Sequence, residues 1–183
     1  PVVHGLWPQT DQYGTSDCDR PESSADPRKI YPCYDTQGSQ SSANWFQRHE
    51  WEKHGVCAGV KNADDFFRQV CQLSSAPLQV MAGARASGMD LVDMADQLGR
   101  AGYCVYHIDT YNAQLQLSAC QDESTGLWHL ADVNSFPQVC GGSGGGSHGG
   151  GGGSTDRCIT GQRGPKCSTD SDCWGKANCQ RCA

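Results

Sequence analysis

Basic residues are scarce in this chain. Lysine and arginine number 14 against 20 aspartates and glutamates, a formal net charge of −6 with the histidines neutral. That balance excludes a protein that holds nucleic acid by general electrostatic attraction, because such binding depends on many Lys/Arg contacts to phosphate. Any action on nucleic acid must then proceed through few phosphate contacts, weak binding and turnover. Acidic conditions neutralise carboxylates and charge histidines, which lessens repulsion from a polyanion. Long apolar runs are also lacking, and with them any membrane-spanning helix. No Asn-x-Ser/Thr acceptor with a permitted middle residue occurs, so N-glycosylation is not expected within this stretch. The chain opens on Pro1-Val2-Val3 without a signal peptide, as expected of a mature or trimmed product of secretion.

Cysteine, in contrast, is abundant, at 12 in 183 residues. Seven lie in the first 140 residues (Cys18, Cys33, Cys57, Cys71, Cys104, Cys120, Cys140) and five near the end (Cys158, Cys167, Cys173, Cys179, Cys182). This density points to an oxidising compartment. With 37% hydrophobic residues the chain can bury the core of one ordinary domain, expected over 1–140. Residues 141–155 are Gly-rich with Ser and a solvated His148, a linker that cannot order itself in a packed core. Residues 156–183 form a short cysteine-rich module that needs disulfides rather than a core.

Two segments carry the chemistry. His4-Gly5-Leu6-Trp7-Pro8 and His49-Glu50-Trp51-Glu52-Lys53-His54-Gly55-Val56-Cys57 together hold three of the six histidines, with Glu50 and Lys53 beside them. Two imidazoles, a lysine and a carboxylate suffice for metal-free phosphodiester chemistry. One imidazole takes a proton from the attacking oxygen, another gives one to the leaving oxygen, and cations steady the charge on phosphorus. The stretch 44–54 lacks Gly and Pro, Ser41-Ser42 precedes it as a cap, and Gly55 stands where a helix stops. On that helix His49 and Lys53 are four apart, as are Glu50 and His54, so each pair shares a face. Trp45 and Trp51 are left to pack or to line the edge of a cleft. Two cations beside one carboxylate predict an ionised Glu50 and histidines raised toward protonation. A solvated helix with ordinary i,i+4 salt bridges is the competing reading. Zinc is not expected: His49 and His54 are five apart rather than four, and Lys53 inside the cluster opposes a divalent cation. No cofactor is called for.

Together the two segments resemble the catalytic motifs of the ribonuclease T2 family, in the family's order, with looser similarity over about residues 1–140. The resemblance implies an α+β fold, a central antiparallel sheet with packed helices, and endonucleolytic cleavage of single-stranded RNA through a 2′,3′-cyclic phosphate. It casts His54 as general base toward the ribose 2′-OH and His4 as general acid toward the departing 5′-oxygen. Glu50 and Lys53 then stabilise the phosphorane and His49 holds the phosphate. DNA, lacking the 2′-OH, is expected to be inert. The optimum is expected on the acid side of neutral, as the histidine reference pKa of about 6.5 implies. Trp7 is the candidate base-stacking platform. Gln9 stands where the family commonly has an acid that reads the base, and Tyr13 is a second aromatic wall or a core residue. The family also implies bridges Cys18–Cys57 and Cys120–Cys140, leaving Cys33, Cys71 and Cys104 without assigned partners. Seven and five are both odd, so either an upstream segment carries one partner or one bridge crosses to the tail. The family normally has a strand before its first motif, and this chain begins three residues before His4.

Elsewhere, Asp64–Leu73 and Asp90–Leu98 show helical periodicity, the second ending at Gly99. Ala113–Cys120 alternates as a strand and 126–133 can pair with it as a hairpin, with His107 and His129 as core or surface residues. The tail from Cys167 to Cys182 is similar to cystine-knot miniproteins but shows five cysteines where a knot needs six. A wall polysaccharide, a protease, another surface or no partner at all stay open for it. The chain is expected to be a monomer, secreted or held in an acidic lumen such as a vacuole or lysosome, with no membrane partner. The alternative to an acid endoribonuclease is a catalytically silent secreted binding or defence protein on the same scaffold.

Overall fold

The structure, a computed structural model, describes residues 1–8, 18, 21, 27–35 and 38–141. Gln9, Tyr13, the expected 156–183 module and the linker beyond Gly141 lie outside the described residues.

Helix α1 spans Gln40–Lys53 and buries Ala43, Gln47, Glu50 and Trp51, a stripe at helical spacing. Its cap is Ser39 rather than the Ser41-Ser42 pair: the Ser39 hydroxyl accepts the Ser42 backbone N–H at 3.3 Å. The buried Gln47 is satisfied at both ends, accepting the Tyr31 N–H at 2.8 Å and donating to the Lys29 carbonyl at 2.8 Å. It thereby fastens the 27–35 segment to α1, and the Tyr31 hydroxyl extends the tie to Asp64 at 2.7 Å. Gly55 does not end the helix in a left-handed conformation. It opens a 3₁₀ turn, Gly55–Cys57, and is buried so tightly that a β-carbon would press on Trp51 and Phe66.

Helix α2 runs Ala63–Ala86, more than twice the expected length, with Asn62 accepting the Asp65 N–H at 3.0 Å as cap. The Ser74-Ser75-Ala76-Pro77 run interrupts the sequence pattern, yet Pro77 is buried and the helix passes through it. Packing of the apolar face outweighs the local helix-breaking preference. Helix α3 spans Leu91–Arg100, capped by Asp90. Gly99 is inside it, not at its end. The stop is Gly102, at φ 90°, where the Gly102 and Tyr103 N–H groups close onto the Gly99 and Leu98 carbonyls.

Strands β1 (Val105–Asp109) and β2 (Gln114–Leu117) form one antiparallel ladder, and β3 (Ala119–Asp122) and β4 (Leu127–Leu130) a second. Among the described residues these two-stranded ladders stand in place of the expected single central sheet. The expected 113–120 strand is divided at Ser118, whose hydroxyl and carbonyl both bond to Ala131, so the chain changes partner there from β1 to β4. A 3₁₀ turn and the short helix α4 (Phe136–Val139) follow. Gln69 of α2 accepts the Trp128 N–H at 2.9 Å and donates to the Gly126 carbonyl at 3.2 Å, while Trp128 Nε1 donates to the Ala58 carbonyl at 2.9 Å. These bonds hold the β3–β4 hairpin against α2 and the loop after α1. The fold is mixed α and β around a core of Tyr31, Tyr34, Trp51, Val56, Phe66, Phe67 and Val70.

Cys18–Cys57 and Cys120–Cys140 are bonded as the resemblance implies, and Cys33 pairs with Cys71. Cys104 is disulfide-bonded as well.

Candidate active site

Glu50 is the centre of the site because it occupies the core-facing stripe of α1. It is fully buried. Trp7 Nε1–H donates to its Oε2 at 2.9 Å, which carries the first motif onto the second across 43 residues. Oε1 finds no hydrogen-bond partner among the described residues, and His4 Nε2 stands 3.5 Å from it. Gly5 lies against the same carboxylate, so close that a β-carbon there would overlap Glu50 Oε2. The glycine of the first motif is therefore a steric requirement of the carboxylate in the second.

Three rings collect around this group. His4 packs edge-on to Trp7 at 4.9 Å between centroids, and His54 faces Trp7 at 5.4 Å. Trp7 thus contacts both imidazoles. Phe46, one turn before Glu50, approaches His4 at 5.1 Å. The Tyr34 hydroxyl, from the segment before α1, donates to the His4 carbonyl at 3.0 Å. On the other side Gln114, the first residue of β2, places Nε2 2.9 Å from His4 Nδ1. His54 sits where α1 gives way to the 3₁₀ turn, at φ −129°, so its ring leaves the helical spiral.

The electrostatics reverse the expectation from spacing. Burial, not the neighbouring cations, dominates Glu50 and pushes its carboxyl up to about 7, against the pull of the Trp7 bond. Burial likewise lowers both imidazoles: His54 falls to about 4, helped by the charges of His49, His4 and Lys53, and His4 falls with a contribution from His49. Burial and the Glu50 charge raise the Tyr34 phenol. Near neutral pH the site therefore holds an unprotonated His54 and a carboxyl poised to exchange a proton with its surroundings.

His4, Glu50, His54 and Trp7 come together as a compact group. His49 and Lys53 take a second rank. His49 stacks on the exposed Trp45 at 5.6 Å with planes 17° apart, and Lys53 is exposed, its charge reaching His54. Trp51, offered as packing or as cleft edge, is core. His107 and His129 lie half-buried on β1 and β4. Among the described residues no group of three or more His, Cys, Asp or Glu side chains gathers as a metal site. Phe46, Tyr34 and Gln114 were not legible as site residues. Phe46 had a signal, its four-residue spacing from Glu50, whereas Tyr34 and Gln114 arrive from distant segments.

Residues 2–82, which contain both motifs, match the sequence model of the Ribonuclease T2 family. The segment that holds both motifs is thus similar to the ribonuclease T2 family. The chain is 31% identical over 146 residues to the "Extracellular ribonuclease LE" of Solanum lycopersicum, covering 67% of this chain and 63% of that protein. It is 36% identical over 67 residues to a "Ribonuclease" of Aeromonas hydrophila, covering 34% and 26%. The chain thus spans less than two thirds of the length of either relative. No solved structure matches it significantly.

Proposed function

We propose that this chain is a secreted, metal-independent endoribonuclease that cleaves single-stranded RNA by transphosphorylation. The observation that carries the reading is the pair of imidazoles, His4 and His54, both packed against Trp7, whose indole N–H bonds the buried Glu50 beside His4. The disulfides and the extracellular tomato relative support secretion.

His54, kept neutral by burial, takes the 2′-OH proton, and the 2′-oxygen attacks phosphorus. The P–O5′ bond breaks as His4 delivers a proton to the departing 5′-oxygen, leaving a 2′,3′-cyclic phosphate. Glu50 exchanges its proton with His4 and so keeps an acid available up to about its own value of 7. His49 and Lys53 add positive charge facing the phosphate. Trp7 offers a base a stacking face, with Gln9 and Tyr13 as further contacts to the base. The active range lies between the titration of His54 near 4 and that of Glu50 near 7, on the acid side of neutral. The phosphodiester anion bound in the site raises the imidazoles, narrowing that range from its acid side.

The test is homopolymer RNA in EDTA from about pH 4 to about pH 8, with the oxidised chain and its His54→Ala and His4→Ala variants. Cleavage by the parent alone, with cyclic phosphate ends, is the expected result. Undiminished cleavage by either variant contradicts the roles, and no cleavage by the folded parent turns the reading to a silent binding protein.

A further inference from the structure

We propose that Gln114 is a positioning residue for the reaction, holding His4 by Nδ1 so that Nε2 carries the transferable proton beside Glu50. The proposal rests on the reading of His4 as general acid. Gln114 Nε2 lies 2.9 Å from His4 Nδ1, while His4 Nε2 faces Glu50 Oε1 at 3.5 Å. An imidazole has one ring nitrogen fixed by the bond that the other makes. With the amide N–H donating to Nδ1, the neutral ring keeps its proton on Nε2, the nitrogen turned toward the carboxylate. When His4 is charged both nitrogens donate, and the amide can present its oxygen to Nδ1 instead, since a glutamine carries both donor and acceptor. Gln114 therefore serves both protonation states without adding a charge.

The local backbone is built to aim this side chain. Gln114 follows Ala113, the one non-glycine residue at positive φ (54°) among the described residues, in a conformation that L-residues rarely adopt. The turn is fixed from its other end by Asp109, which accepts the Asn112 backbone N–H at 3.0 Å and side-chain N–H at 2.7 Å. Asp109 then pairs with Gln114 to start the β1–β2 ladder. The titratable groups that face His4 are Glu50, His49 and His54 from α1 and its end, with the Tyr34 hydroxyl on its carbonyl. Among the described residues Gln114 adds a contact to Nδ1 from the sheet side.

The experiment compares the oxidised full chain with Gln114→Leu and Gln114→Glu, measuring kcat and KM against pH and the His4 titration by NMR. Gln114→Leu is expected to lower kcat about 10- to 100-fold with KM within about twofold, because orientation rather than binding is lost. Gln114→Glu places a carboxylate on Nδ1, which favours the charged imidazole, so the His4 titration and the alkaline limb of kcat move upward. A kcat for Gln114→Leu within about twofold of the parent overturns the proposal. So does a His4 titration in Gln114→Glu identical to the parent's. If the parent itself cuts no RNA, the ribonuclease reading fails, and the NMR titration alone decides the Gln114–His4 contact.

Discussion

At the scale of single residues, the site is governed by one carboxylate placed where a helix buries its apolar stripe. Gly5 leaves room for it, Trp7 hydrogen-bonds it, and His4 meets its open oxygen. Gly5→Ala is therefore expected to displace Glu50 and cut kcat by about 100-fold, the scale of a small misplacement in an active site. Activity and circular dichroism measured together check this: an unchanged kcat in a folded variant contradicts the steric argument. The identities of His4, Glu50 and His54 were legible because the two motifs keep them in short, ordered segments. The sign of their electrostatics was not. Spacing counts the charges of Lys53 and His49, but whether Glu50 is solvated depends on Gly5, Trp7 and His4 arriving from the first segment to close over it, and burial then outweighs the cations.

At the scale of elements, glutamine side chains do much of the joining. Gln47 binds the segment before α1, and Gln69 binds the β3–β4 hairpin to α2 through bonds at 2.9 and 3.2 Å. Gln69→Leu leaves the Trp128 N–H without this partner, while the Gly126 carbonyl keeps the Gln121 amide at 3.1 Å. We expect a loss of about 1–3 kcal/mol in denaturant unfolding. A change below about 0.5 kcal/mol would show that water or neighbours replace these bonds. Periodicity revealed α1, the start of α2 and nearly all of α3. It understated α2, since Pro77 reads as a break while its ring packs in the core, and it ended α3 at Gly99 when only Gly102 takes the left-handed turn. Alternation over 113–120 revealed extended chain but not the change of partner at Ser118, which depends on Ala131. Strand β1 went unread because its pairing with β2 is set by the Asp109 turn rather than by its own pattern.

At the scale of the whole molecule, disulfides and protons set the conditions under which the site exists. The Cys18–Cys57 bridge closes a loop of sequence separation 39 between the segments that follow His4 and His54. Its removal is expected to cost about 4 kcal/mol by loop entropy, read as a drop in denaturant midpoint for the Cys18→Ser/Cys57→Ser pair. A midpoint unchanged from the parent contradicts that constraint. Protons act in two opposed directions. Glu50 is raised from its ordinary value near 4.5 to about 7, so its contribution to stability is full below about 4.5 and is lost as pH rises to 7, about 3 kcal/mol in all. His54 is lowered from 6.5 to about 4, so its contribution is full above 6.5 and is lost as pH falls toward 4; His4 shares that direction. The two trends offset one another in the parent. Glu50→Gln removes the first, so the variant is expected to exceed the parent near pH 8 and lose stability steeply between about pH 6.5 and pH 4. Parallel melting curves for parent and variant across that range would contradict a buried, proton-holding Glu50.

The most direct test of the account uses an oligodeoxynucleotide that contains one ribonucleotide, incubated in EDTA near pH 5.5 and analysed by mass. Chemistry driven by the 2′-OH predicts a single cut, immediately 3′ of the ribose, with a 2′,3′-cyclic phosphate on the upstream fragment and none with His54→Ala. Cuts at deoxynucleotides, or an intact strand where the same protein degrades homopolymer RNA to linear phosphates, would contradict it.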